Sequence, residues 1–169
     1  MESTSLLRGV GSQAIRRVVQ LAAKPGSNLL TAIEEAVRRE HIGCGVIVSG
    51  VGALRRAVFR NLKRFPEAYP VRPEDRLYLE IEKPMELVSL GGWLALNPNG
   101  EIEIHAHFCA SMVAKDNIVT LGGHLTEGTI CDIKVVVAIL VLADRSVRAE
   151  HEPVARSYDL FFKDVSSET

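Results

Sequence analysis

The spacing of polar and apolar residues changes several times along this chain, and each change marks an element. Ala14–Ala23, AIRRVVQLAA, reads as a strand, and KPGSN breaks it. Ser27 is the expected N-cap of a helix. Leu29, Leu30, Ile33, Ala36 and Val37 then recur at helical spacing with charged residues between them, so the helix is amphipathic and ends near Gly43. CGVIVSG, from Cys44 to Gly50, is an unbroken apolar run and predicts a buried strand. GALRRAVFRNL fits a strand or a helix equally by period. RFPEAYPVRPED, with three prolines, is a surface loop. Strand patterns follow in LYLEIE, ELVSLGGWLAL, EIEIHAHF, IVTLGGHL and IKVVVAILVL, with NPNG as a turn between two of them. SVRAEH and YDLFF close the series. One main helix packed on a mixed, largely antiparallel central sheet makes the fold α+β. A single domain is expected over 13–162, with a flexible segment at 1–12 and a tail at 163–169.

The polar positions in one of these strands carry chemistry. From Glu101 onward, alternation puts Glu101, Glu103, His105, His107 and Cys109 on one face and Ile102, Ile104, Ala106 and Phe108 on the other. The apolar face belongs to the core, so the two histidines share a polar face. If this strand and IVTLGGHL form a hairpin centred between Lys115 and Asp116, His124 lies opposite His107. Phe108 then faces Gly123, and Ala110 faces Leu121. Cross-strand neighbours are roughly 5 Å apart at Cβ. Three imidazoles so placed can converge on one divalent transition metal, with zinc expected. Three ligands leave a fourth position open, as in catalytic rather than structural zinc sites. Glu127, just past the strand, is the expected general base or outer acceptor. Cys109 is a weaker fourth ligand. His41 and His151 read as lone surface histidines. Gly91-Gly92 and Gly122-Gly123 read as bulges or close packing, since neither belongs to a phosphate-binding glycine pattern.

Composition narrows the function classes. The chain has 169 residues, and its formal net charge is -1, from 20 Lys and Arg against 21 Asp and Glu. Basic pairs such as Arg16-Arg17, Arg38-Arg39 and Arg55-Arg56 are dispersed, which weighs against a dedicated nucleic-acid binder. Three cysteines without close spacing predict no disulfide framework and fit a reducing cytoplasm. The N-terminal residues lack the apolar core of a signal peptide, and no apolar run is long enough to span a bilayer. A soluble cytoplasmic protein without a membrane partner is expected.

Taken together, VIVSGVGALRRAVFR, ELVSLGGWLAL, IHAHF and GGHLTEGTI resemble the plants-and-prokaryotes conserved domain, bacterial branch. The resemblance runs from about Gln13 to Phe162, and the His-x-His strand and GGHLxEG are its most specific parts. A cupin reading, by contrast, lacks the glutamate expected after its His-x-His. The family resemblance implies an α+β domain with a central antiparallel sheet, assembly as a homotrimer, and a metal site on His105, His107 and His124. Relatives in plants target DNA through a separate AT-hook with an Arg-Gly-Arg-Pro core, and this chain has none. Three readings follow: a trimeric metal-binding protein, as a metal-dependent hydrolase or lyase with an unidentified small-molecule substrate; a DNA-binding or transcription-associated module; and a protein-interaction scaffold. Tight duplex-DNA binding by this chain alone is not expected.

Overall fold

The first predicted strand is β1, Ile15–Ala23, and it pairs antiparallel with β7, Ile130–Leu142. The computed structural model describes residues 6, 10–66, 68–143, 147–153 and 156–162. Most of the 1–12 segment and all of the 163–169 tail lie outside those residues. The helix, α1, spans Leu29–Arg39. Its N-cap is Asn28, not Ser27: the Asn28 side chain accepts the Thr31 N–H at 3.3 Å. Ser27 is instead tied to β7, its carbonyl accepting from the Cys131 N–H at 2.9 Å. The helix also stops short of Gly43, because His41 takes the left-handed conformation, φ 50°, that ends it. Leu29, Ile33 and Val37 form its buried stripe and join the main core.

CGVIVSG and GALRRAVFRNL prove to be one strand, β2, running from Cys44 to Leu62. The first part is not buried throughout. Val46 and Val48 are 36% and 49% exposed, because β2 shows every second side chain to the outer face of the sheet. The remaining elements are β3 (Arg76–Ile81), β4 (Met85–Leu96), β5 (Ile102–Ala114), β6 (Asn117–Leu125), β8 (Val147–Glu152) and β9 (Ser157–Phe162). The proline-rich loop before β3 contains one 3-10 turn, Pro73–Asp75. The fold is strand-dominated α+β, with one short helix among the described residues.

The main sheet runs β1-β7-β2-β4-β5-β6, with β3 also on β2. The long β2 is used twice. Its first half pairs with β4 and β7, and its second half pairs with β3 and, at two positions, with β6. Strands β2, β4, β5 and β6 therefore close a ring. Gly52 allows the change of direction. Its φ is 147°, it stands at a register shift against β7, and a β-carbon there would lie 2.1 Å from the Lys134 carbonyl oxygen. Phe59 and Phe108 stack in the interior, centroids 4.7 Å apart and planes within 11°. The β8–β9 hairpin forms its own small sheet and packs Val147 and Ala149 on Cys44 and Ala95, on the outer side.

Candidate metal centre

The β5–β6 hairpin has the register read from the sequence: His107 pairs with His124, Phe108 with Gly123 and Ala110 with Leu121. Its turn is two residues, Lys115 and Asp116, between the paired Ala114 and Asn117, and Lys115 takes φ 55°. Alternation then sends Ala106 and Phe108 into the core and His105 and His107 outward. Two rows of facing residues cross the outer surface. One runs Gly91, His107, His124, Arg60, Tyr78 over β4, β5, β6, β2 and β3. The other runs Val18, Leu140, Val46, Trp93, His105 over β1, β7, β2, β4 and β5. The trio sits where the two rows meet.

The three imidazoles touch. Ring centroids are 5.2 Å apart for His105–His107, 4.9 Å for His105–His124 and 5.0 Å for His107–His124. Nε2 of His105 and Nε2 of His107 are 3.1 Å apart. One ligand nitrogen from each residue lies within 4.8 Å of the others. The nitrogen edge of a tetrahedral site with Zn–N bonds of 2.0–2.1 Å is about 3.3 Å. The three histidines could thus hold a metal ion, and the His105–His107 pair is already close to that edge. Trp93 stacks on His105, centroids 5.4 Å apart, and limits that ring's rotation.

The electrostatics keep the trio neutral. Desolvation lowers the His105 pKa first, then the neighbouring His107 and Arg60. The same desolvation, then Arg60, lowers His107. His124 is pushed down to about 3 by burial, with Arg60, the other two histidines and Arg76 adding to it. Neutral imidazoles have the free lone pairs that a metal needs, so no proton has to be displaced at neutral pH.

The other sequence-derived candidates stand apart from this group. Glu127 is exposed in the turn after β6, and Cys109 faces Gly122 across the hairpin, half-buried. Neither belongs to the cluster of ligand atoms. His41 and His151 are exposed, and His151 meets the Tyr158 ring edge-on. Sequence reasoning missed Arg60, Tyr78 and Trp93. Trp93 was in view as part of a strand. Arg60 could not be placed, because it reaches His124 only through the β2–β6 pairing. Among the described residues, no helix is long and apolar enough to cross a membrane.

Comparisons with known proteins agree with this architecture. No curated protein matches the chain. Among solved structures, a metal-containing protein of Archaeoglobus fulgidus superposes with a TM-score of 0.71 at 20% identity, over 90% of this chain and 99% of that one. A plant- and prokaryote-conserved protein of Pyrococcus horikoshii gives 0.66 at 23% identity, over 92% and 99%. A protein of Bacteroides thetaiotaomicron, named as a candidate DNA-binding protein, gives 0.70 at 17%, over 89% and 95%. At such identities the likeness is one of fold. The sequence pattern of one family, however, matches residues 10–143, from before β1 to just past β7, and takes in all three histidines. The chain belongs to the Plants and Prokaryotes Conserved (PCC) domain family.

Proposed function

We propose that this protein is the subunit of a homotrimer that holds one divalent transition metal per chain, zinc by its donor set, on His105, His107 and His124. The observation that carries this reading is the contact of three neutral imidazoles on one outward face, with two of their nitrogens 3.1 Å apart. The name of the Archaeoglobus fulgidus relative, a metal-containing protein, supports it. Bound there, such a metal supplies Lewis acidity at an open position, and metal-dependent hydrolysis or lyase chemistry is the reaction class in view. In this reading Glu127, on the exposed turn after β6, carries the proton, and Trp93 fixes the orientation of His105. The cytoplasm is the compartment that suits its three free thiols.

The test is elemental analysis of the purified protein beside the double variant His105→Ala/His107→Ala. The expected result is about one metal ion per wild-type chain and at least a tenfold loss in the variant, since two of three ligands are gone. Equal metal content in a folded variant would sink the idea. A second reading, a DNA-binding module, is favoured by the names of the Bacteroides thetaiotaomicron and Ralstonia eutropha relatives. The near-zero net charge weighs against it.

A further inference from the structure

Arg60 is the unexplained neighbour of the histidines. It faces His124 directly on β6 and Tyr78 on the other side, on β3. It is half-buried and has Tyr78 as its cross-strand neighbour. No carboxylate among the described residues forms an ion pair with it, whereas Arg55, Arg56, Arg64 and Arg72 all have one. The charge that acts most strongly on Arg60 among the described residues is another cation, Arg76, two residues along from Tyr78 on the same face of β3. Among the described residues, the one carboxylate felt by the trio is Asp159, and it is the weakest of the influences on His105.

This arrangement is costly unless something negative completes it. Three neutral ligands leave a bound dication's charge whole, and Arg60 and Arg76 add to it in a partly desolvated place. A ring of carboxylate ligands would have balanced the metal internally, but among the described residues none joins the cluster. We infer that the site takes a small molecule bearing a compact oxyanion, a carboxylate or phosphate group, with one oxygen at the metal and another on the Arg60 fork. The row Gly91-His107-His124-Arg60-Tyr78 sets Arg60 beside the histidine ligands, with Tyr78 flanking it on the other side. Gly91 keeps the far end of that row open, since a β-carbon there would meet nothing nearer than 3.8 Å. A guanidinium donates along fixed N–H directions, which suits an oxyanion's oxygen and its neighbour at the metal better than a single spherical halide. The inference names the ligand class of the metal site above and rests on that reading.

The experiment uses the full chain loaded with cobalt(II), whose visible absorption reports its ligands, titrated with inorganic phosphate at constant ionic strength in chloride. The wild type is expected to show a saturable spectral change. Arg60→Gln is expected to hold the same amount of cobalt and to bind phosphate about tenfold or more weakly, the loss of one charge-assisted contact. Arg60→Lys keeps the charge without the fork and should fall between the two. Should Arg60→Gln not fold, Arg60→Lys carries the comparison, and unchanged phosphate affinity in it overturns the inference. Cobalt held by the wild type with no phosphate response, or with one equal in Arg60→Gln, overturns the inference and leaves the metal reading standing. Cobalt that fails to bind the wild type overturns both.

Discussion

Gly91 and Gly92 are neighbours in sequence that face opposite sides of β4, and they have different work. A β-carbon on Gly92 would sit 2.2 Å from the His105 carbonyl oxygen and 2.6 Å from the Ala106 Cα, both backbone atoms of the strand that carries the trio. On Gly91 it would make only an ordinary contact, 3.8 Å from the Ile47 carbonyl oxygen. Gly92→Ala is therefore expected to cost about 1–3 kcal/mol, as overpacking does, while Gly91→Ala changes stability by no more than about 0.5 kcal/mol. Urea unfolding of the two variants decides it, and equal losses would refute the steric account. The sequence offered bulges or close packing for both glycine pairs, and close packing holds at Gly92, Gly122 and Gly123 but not at Gly91. The facing of His107 and His124 was legible, because alternation and a centred turn fix one register locally. The charge of Arg60 was legible too, but not its position, since nothing near it in sequence specifies what it faces.

Among the elements, β2 was the hardest to read. Its first half looked fully apolar and its second half fitted two periods, for one physical reason. The strand changes partners between Leu54 and Ala57, from β4 and β7 to β3 and β6, so each half answers to a different environment. Its exposed valines record an outer face that an apolar run cannot distinguish from a core. The loop before β3 was legible from its prolines, but its anchor was not. Asp75 is only 7% exposed and accepts Arg64 Nε at 3.0 Å and the Arg72 N–H at 3.3 Å. The Arg64 hydrogen bond is the chief cause that holds its pKa below the ordinary 3.8, with the Arg72 backbone assisting against desolvation. A carboxyl depressed in the folded state stabilises fully above the unfolded value and loses that share as pH falls through the folded one. Asp75→Asn should thus be less stable than wild type at pH 7, and the gap should narrow as the pH drops below 3.8. Urea midpoints of both proteins across that range are the measurement, and a gap independent of pH would contradict the assignment.

At the scale of the whole molecule, one surface stands out. Val18, Val46, Val51 and Val88 are exposed on β1, β2 and β4, and the row through Val18, Val46 and Trp93 ends at His105. Contiguous apolar surface of this kind on a folded chain marks an interface. In the proposed trimer it buries against other copies, which sets the histidines at the margin of a subunit contact. Light scattering at micromolar concentration is expected to give three times the 18.5 kDa chain mass, and a monomer mass would remove the proposal. The same trimer should bind a mixed-sequence duplex only weakly, because three chains of net charge -1 gather no basic surfeit. Submicromolar affinity that survives physiological salt would raise the DNA reading above the metal one. Oligomeric state was not legible in any residue pattern, since exposure is a property of the folded surface. The join between β2 and β6 has a last consequence. It is a seam only two residue pairs wide, Phe59 with Leu125 and Arg60 with His124. A barrel shut by so short a seam breathes there first, as the least protected part of its hydrogen-bond ladder. Since His124 is stitched into that seam, the trio is whole only while the barrel is shut. An ion gripping all three rings would act as the clasp.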